Sequence, residues 1–94
     1  MKKLERLLNL VAAMLATELP LSRQDLRRRL PDGAYSANSE SFRRTFERDK
    51  EELRSMGLPL SVEPVPGTDP PVDGYRIRPA DYEADLPALT ADEL

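Results

Sequence analysis

Arg43, Arg44 and Arg48, with Ser41 and Thr45 among them, are the residues whose types and spacing could do chemistry in this chain. The chemistry is recognition: a guanidinium is a rigid fork of N–H donors that grips guanine O6 and N7, or a phosphate, through two parallel hydrogen bonds. On a helix turning roughly 100° per residue, with Phe42 at the origin, Phe46 lies at about 40°, Leu53 at about 20° and Met56 at about 320°. Arg44 then falls at about 200°, Arg48 at about 240° and Ser41 at about 260°, with Arg43 and Thr45 on the flanks at about 100° and about 300°. A helix that buries Phe42, Phe46, Leu53 and Met56 therefore aims Arg44 and Arg48 away from the core, and Arg44 is the first candidate for a base-edge reader. Glu40, Glu47, Glu51 and Glu52 stand close enough along the helix to pair with these arginines, so the helix alone reads equally well as an ordinary solvated face.

The other chemistry-bearing residues exclude more than they suggest. The chain has no His and no Cys, which removes the usual general base, the thiolate nucleophile and the commonest zinc ligands. Asp49 falls on the core face at about 340°, where an unpaired carboxylate is costly, so it needs a partner. One carboxylate makes no acid–base pair, and no phosphate-cradling glycine loop is present, so neither an enzyme nor a metal or cofactor site is expected. Arg27 and Arg28, in the run Arg27-Arg28-Arg29, read either as a solvated face or as contacts to a phosphate backbone, which set position without reading sequence. Lys2, Lys3 and Arg6 read as solubilising charges.

The elements that must position these residues follow from periodicity and breakers. Leu4, Leu7, Leu8, Val11, Met14 and Leu15 recur at helical spacing between Lys2 and Glu18, and Pro20 ends that first helix. Ser22 and Asp25 form the start of a short second helix anchored by Leu26 and Leu30 and stopped by Pro31. Residues 31–37 form a polar loop; Asn38 then caps a third helix running to about Met56, with Gly57 suited to a left-handed stop. Leu60 and Val62 alternate with Ser61 and Glu63, and Tyr75 and Ile77 with Arg76 and Arg78, which predicts a hairpin with a long tip. The fold class is mainly α with a small β-hairpin: three helices plus a two-stranded wing, a winged helix-turn-helix over residues 1–78. In that order of elements the third helix enters the major groove of double-stranded DNA, which favours the recognition reading of its arginines. Residues 79–89 read as an acidic linker without helical period. Thr90 and Glu93 form a capping box, so residues 90–94 read as the start of a regulatory region cut short.

Charge is divided along the chain in the same sense. Residues 1–50 hold 11 Lys/Arg against 7 Asp/Glu, a balance of +4, and residues 51–94 hold 3 against 10, a balance of −7, giving the net −3. Phosphate binding depends on the local field of one face, so the acidic total does not exclude DNA. The composition is too polar for a membrane span, and Glu5, Arg6 and Asn9 interrupt any signal-peptide core, so a cytoplasmic, nucleoid-associated domain is expected. Asp69 and Asp73 at the wing tip oppose its insertion into a minor groove, and Arg76 and Arg78 either touch phosphate or stay exposed.

The stretch from Arg44 to Leu60, containing Arg44-Thr45-Phe46-Glu47-Arg48-Asp49-Lys50 and closed by Met56-Gly57-Leu58-Pro59-Leu60, followed by Gly74-Tyr75-Arg76-Ile77, resembles the DeoR-like winged helix of bacterial WYL-domain transcription regulators. Glu5-Arg6-Leu7-Leu8-Asn9-Leu10-Val11 and Phe42-Arg43-Arg44 resemble more narrowly the proteasome accessory factor branch of actinobacterial members. The resemblance implies promoter binding by the winged helix under control of a carboxy-terminal sensing domain. It further implies a role in the DNA-damage response and a homodimer, or a heterodimer with a sister regulator. The family's Trp-Tyr-Leu motif has no counterpart in a chain without Trp, and the acidic wing tip departs from a basic DNA-binding wing. The alternative is a winged helix used for protein contact, in dimerisation or in docking to the transcription machinery, motivated by the acidic second half.

Overall fold

Breaks at Pro20, Pro31 and Gly57 divide the chain into the elements of its structure, a computed structural model that describes residues 1–84. These are α1 (Lys3–Ala16), α2 (Arg23–Arg29), α3 (Ser39–Ser55), β1 (Leu60–Pro64), β2 (Asp73–Ile77) and α4 (Pro79–Ala84). The three helices and the wing expected from the sequence are present. Ser22 and Asp25 complete a capping box at α2, and the Asn38 side chain accepts the Ser41 N–H at 2.9 Å to start α3. At the far end of α3, Leu58 N–H donates to the Leu53 carbonyl and Gly57 N–H to that of Arg54, with Gly57 at φ 90°. This pair of bonds is the Schellman stop that glycine permits.

The strands pair antiparallel with Leu60 opposite Ile77 and Val62 opposite Tyr75. A separate bridge on the other side of β2 was not legible: Leu21, between α1 and α2, exchanges both backbone hydrogen bonds with Tyr75, at 3.1 and 2.8 Å. The helix-turn-helix is thereby tied to the wing by main chain, and the hairpin gains the support a lone pair of strands lacks.

Four expectations need correcting. The buried stripe of α1 is Leu7, Leu10 and Met14, whereas Leu4 and Leu8 are 65% and 60% exposed. The helix has more apolar width than this small domain can cover, and its rotation is set by Arg6 reaching into the core. Met56 is 60% exposed because α3 ends at Ser55 and the chain turns away at Gly57; Leu58 packs against the core instead. Val62 is exposed although Tyr75 opposite it is buried, since β1 is the sheet edge. Residues 79–84, read as linker, form α4, where Pro79 at the first position has no N–H to leave unsatisfied. The rest of the linker and the Thr90–Glu93 capping box lie outside the described residues. Among the described residues no helix is long and apolar enough to cross a membrane.

Gly74 is required by close approach. A Cβ there would lie 2.7 Å from Pro20 Cβ, 2.8 Å from Val65 Cγ2 and 3.0 Å from the Pro20 carbonyl carbon. Gly74→Ala is expected to destabilise the domain by about 1–3 kcal/mol. A thermal melt followed by circular dichroism checks this, and an unchanged midpoint would mean that the loop before α2 yields freely.

Candidate nucleic-acid interface

The orientation of α3 is decided by its one buried acid. Asp49 is 1% exposed and receives Arg6 in a two-pronged pair, Nε to Oδ2 at 2.7 Å and Nη2 to Oδ1 at 2.9 Å. The Tyr35 hydroxyl donates to the same Oδ2 at 2.6 Å. The carboxylate foreseen as needing a partner thus has two, from α1 and from the loop before α3. Its hydrogen bond raises the Arg6 pKa, although burial opposes this. Burial above all, then the hydrogen bond to Asp49 and the Asp49 charge, push the Tyr35 phenol far above its ordinary 10.0, with Arg6 acting in the opposite direction. Arg6, read as solubilising, is therefore a core residue, and Tyr35, read as loop, closes the site.

Around this triad pack Phe42 and Phe46, with ring centroids 6.0 Å apart, Tyr35 edge-on to Phe42 at 5.0 Å and Tyr75 edge-on to Phe46 at 5.2 Å. With that face inward, Arg44 and Arg48 are exposed on the opposite side of α3, while Ser41 and Thr45 are half-buried at its margins. The acids of α3 are engaged by other cations. Glu40 holds Arg43 at 2.6 Å, Glu47 holds Lys50 at 3.0 Å, Glu51 holds Arg54 at 3.0 Å and Glu52 holds Lys3 at 2.7 Å. Arg44 and Arg48 consequently have no carboxylate partner among the described residues.

Set against known proteins, the chain matches no family model. It is 43% identical over 91 residues to Protein PafB of Mycobacterium leprae and 42% identical over 91 residues to Protein PafB of Mycobacterium tuberculosis and of Mycobacterium bovis. Each match takes in 97% of this chain. The chain is similar to the amino-terminal part of PafB. The chain spans 27% of the length of these curated relatives and corresponds to their amino-terminal part.

The remaining basic residues divide into engaged and available. Arg27 lies with its guanidinium 4.8 Å over the Phe42 ring and donates to the Ser36 carbonyl at 3.0 Å, so it joins α2 to the loop and to α3. Arg28 pairs with Asp25 at 3.0 Å and Arg43 with Glu40, both on the surface, where solvent screens an ion pair and it yields readily to a phosphate. Arg43 lowers the Glu40 carboxyl, first by hydrogen bond and then by charge, with smaller help from Arg44 and Arg23. Arg23, not singled out from the sequence, therefore lies within electrostatic reach of the first turn of α3. In the wing, Arg76 donates to the Glu18 carbonyl at 2.6 Å and Arg78 to Glu63 at 3.0 Å. Lys50, also not foreseen, is buried with its ammonium 4.6 Å over the Tyr75 ring, bridging α3 to β2.

The triad has a pH consequence. Tyr35 stays protonated in the fold after an unfolded phenol would ionise, so its contribution is complete below about pH 10 and is lost as pH rises above it. Urea midpoints should fall between about pH 9 and about pH 11, and Tyr35→Phe should flatten that fall. Asp49→Asn leaves Arg6 without its charge partner and should cost about 3–5 kcal/mol in urea unfolding at neutral pH.

Proposed function

We propose that this chain is a sequence-specific DNA-binding module of a bacterial WYL-type transcription regulator, with α3 in the major groove of double-stranded promoter DNA. The observation that carries the reading is the pair Arg44 and Arg48. They are exposed, about one turn apart, and without a carboxylate partner among the described residues, on a helix whose own acids are engaged elsewhere. Arg44 reads a base edge, and Arg48 reads a second base or its phosphate. Ser41, Thr45 and Arg43 line the groove, and Arg28 takes a backbone phosphate. Arg27 contributes from inside, holding α2 against α3. The chain works by binding rather than catalysis, without metal or cofactor.

Homology to the amino-terminal part of PafB supports a regulator setting, in which a larger protein places two such modules, as a homodimer or a heterodimer with a sister regulator, on paired half-sites. A cytoplasmic, nucleoid-associated location and a role in the DNA-damage response belong to the same proposal. The acidic tip and the engaged Arg76 and Arg78 leave the wing to brace the core rather than to enter a minor groove.

Fluorescence anisotropy on a duplex found by random-oligonucleotide selection tests the assignment. Arg44→Ala should weaken binding by about 1–3 kcal/mol and relax preference at one base position, and Arg28→Ala should reduce the salt slope by about one unit. Arg27→Ala should lower the melting temperature and leave that slope unchanged. Undiminished binding by the Arg44→Ala/Arg48→Ala double variant would remove α3 from the interface.

A further inference from the structure

Along the outer side of α1, Leu4, Leu8, Val11 and Leu15 follow one another at spacings of four, three and four residues, the repeat of a seam between two helices. With Leu8 at the origin and roughly 100° per residue, Leu4, Val11 and Leu15 lie within about 60° on one side and Ala12 about 40° on the other. The buried stripe of Leu7, Leu10 and Met14 begins beyond Val11, at about 100°. Leu4 and Leu8 are 65% and 60% exposed and Ala12 is exposed, while Val11 and Leu15 are half-buried where the seam joins the core.

This face is almost free of charge. Of the three charged side chains of α1, Lys3 and Arg6 are bonded to α3, and only Glu5 borders the seam. The exposed positions of α3, by contrast, are mostly Arg and Glu. A single exposed leucine is ordinary on a small domain, but a whole helix side left apolar and continuous with the core, in a chain that is 33% charged, marks a contact face.

The two ends of the helix indicate what covers it. Lys2 precedes α1 and Glu18 follows it; both are exposed, and neither belongs to an ion pair among the described residues. When two copies of α1 lie antiparallel about a two-fold axis level with Asn9 and Leu10, Leu8 stands opposite the partner's Val11 and Leu4 opposite the partner's Leu15. Lys2 then comes beside the end of the partner helix that bears Glu18. A parallel pairing would instead set Lys2 against Lys2 and Glu18 against Glu18. Apolar layers and end charges that match themselves under a two-fold are what a second copy of the chain supplies.

We infer that α1 docks antiparallel on α1 of a second copy through Leu4, Leu8, Val11 and Leu15, with Lys2 and Glu18 setting the direction. The inference rests on the part of the functional reading that pairs two modules, and it names the surface that pairs them. Because Arg6 joins α1 to Asp49 of α3, the contact also fixes the two copies of α3 relative to each other. A helix of 14 residues is about 21 Å long, so the contact belongs to the small, transient class of interfaces.

Sedimentation equilibrium without DNA, up to about 1 mM chain, should therefore show a reversible dimer. Leu4→Gln/Leu8→Gln, at exposed positions, should give a monomer with an unchanged thermal midpoint. Lys2→Glu should weaken association several-fold, and Lys2→Glu/Glu18→Lys should restore it. For the direction, Ala16→Cys gives a chain without native Cys one site for a nitroxide. Mixed with isotope-labelled chains that carry no nitroxide, it should broaden amide signals around residues 3–5. A monomer at every concentration, a dimer that survives Leu4→Gln/Leu8→Gln, or broadening centred on residue 16 would each overturn the proposal. A monomer that still binds the selected duplex would do so while leaving the role of α3 standing, whereas a dimer indifferent to DNA would support the α1 contact and remove that role.

Discussion

A buried carboxylate governs this domain. Asp49 sits on the core side of α3 with Arg6 and Tyr35 on its oxygens, and each comes from a different part of the chain. A lone ionised acid in that position would favour unfolding, so the fold is admissible only when all three segments converge. The constraint is geometric as well as energetic. A two-pronged guanidinium pair fixes the rotation of α1, and the phenol fixes the loop that leads into α3. With α3 held by Asp49 on one side and Phe42 and Phe46 on the other, the direction of Arg44 and Arg48 is no longer free.

The rest of the core works around this pin with few residues. Rings from the loop, α3 and β2 meet edge to face, and three cations lie over them: Arg6 on Tyr35, Arg27 on Phe42 and Lys50 on Tyr75. Long cationic side chains thus cover the outer faces of these rings. The same economy explains why the wing is bonded through Leu21 to the segment between the helices, and why Gly74 must lack a side chain where Pro20 crosses it.

Partition of charge gives the surface its character. Acids along α3 are consumed by Arg43, Lys50, Arg54 and by Lys3 from α1, so the helix carries many charges yet presents Arg44 and Arg48 without a carboxylate partner among the described residues. Glu52 is instructive: by spacing it was a potential partner of Arg48, and the tertiary fold gives it to Lys3.

Much of this was determined by the sequence alone. Periodicity and breakers placed three helices and a hairpin, Ser22, Asn38 and Gly57 marked their ends, and the 100° rule put Phe42, Phe46 and Leu53 opposite Arg44 and Arg48. It also showed that Asp49 needed a partner, because these features depend on neighbours within a few turns of one element. Which partner it took was decided only by tertiary structure, since Arg6 and Tyr35 lie 43 and 14 residues away and carry no local signal of inward orientation. The same holds for Leu10 replacing Leu4 and Leu8 in the core, for the Leu21 bridge, and for the engaged or free state of each arginine. A side chain long enough to reach several neighbours has its role set by which of them the fold brings within hydrogen-bond distance.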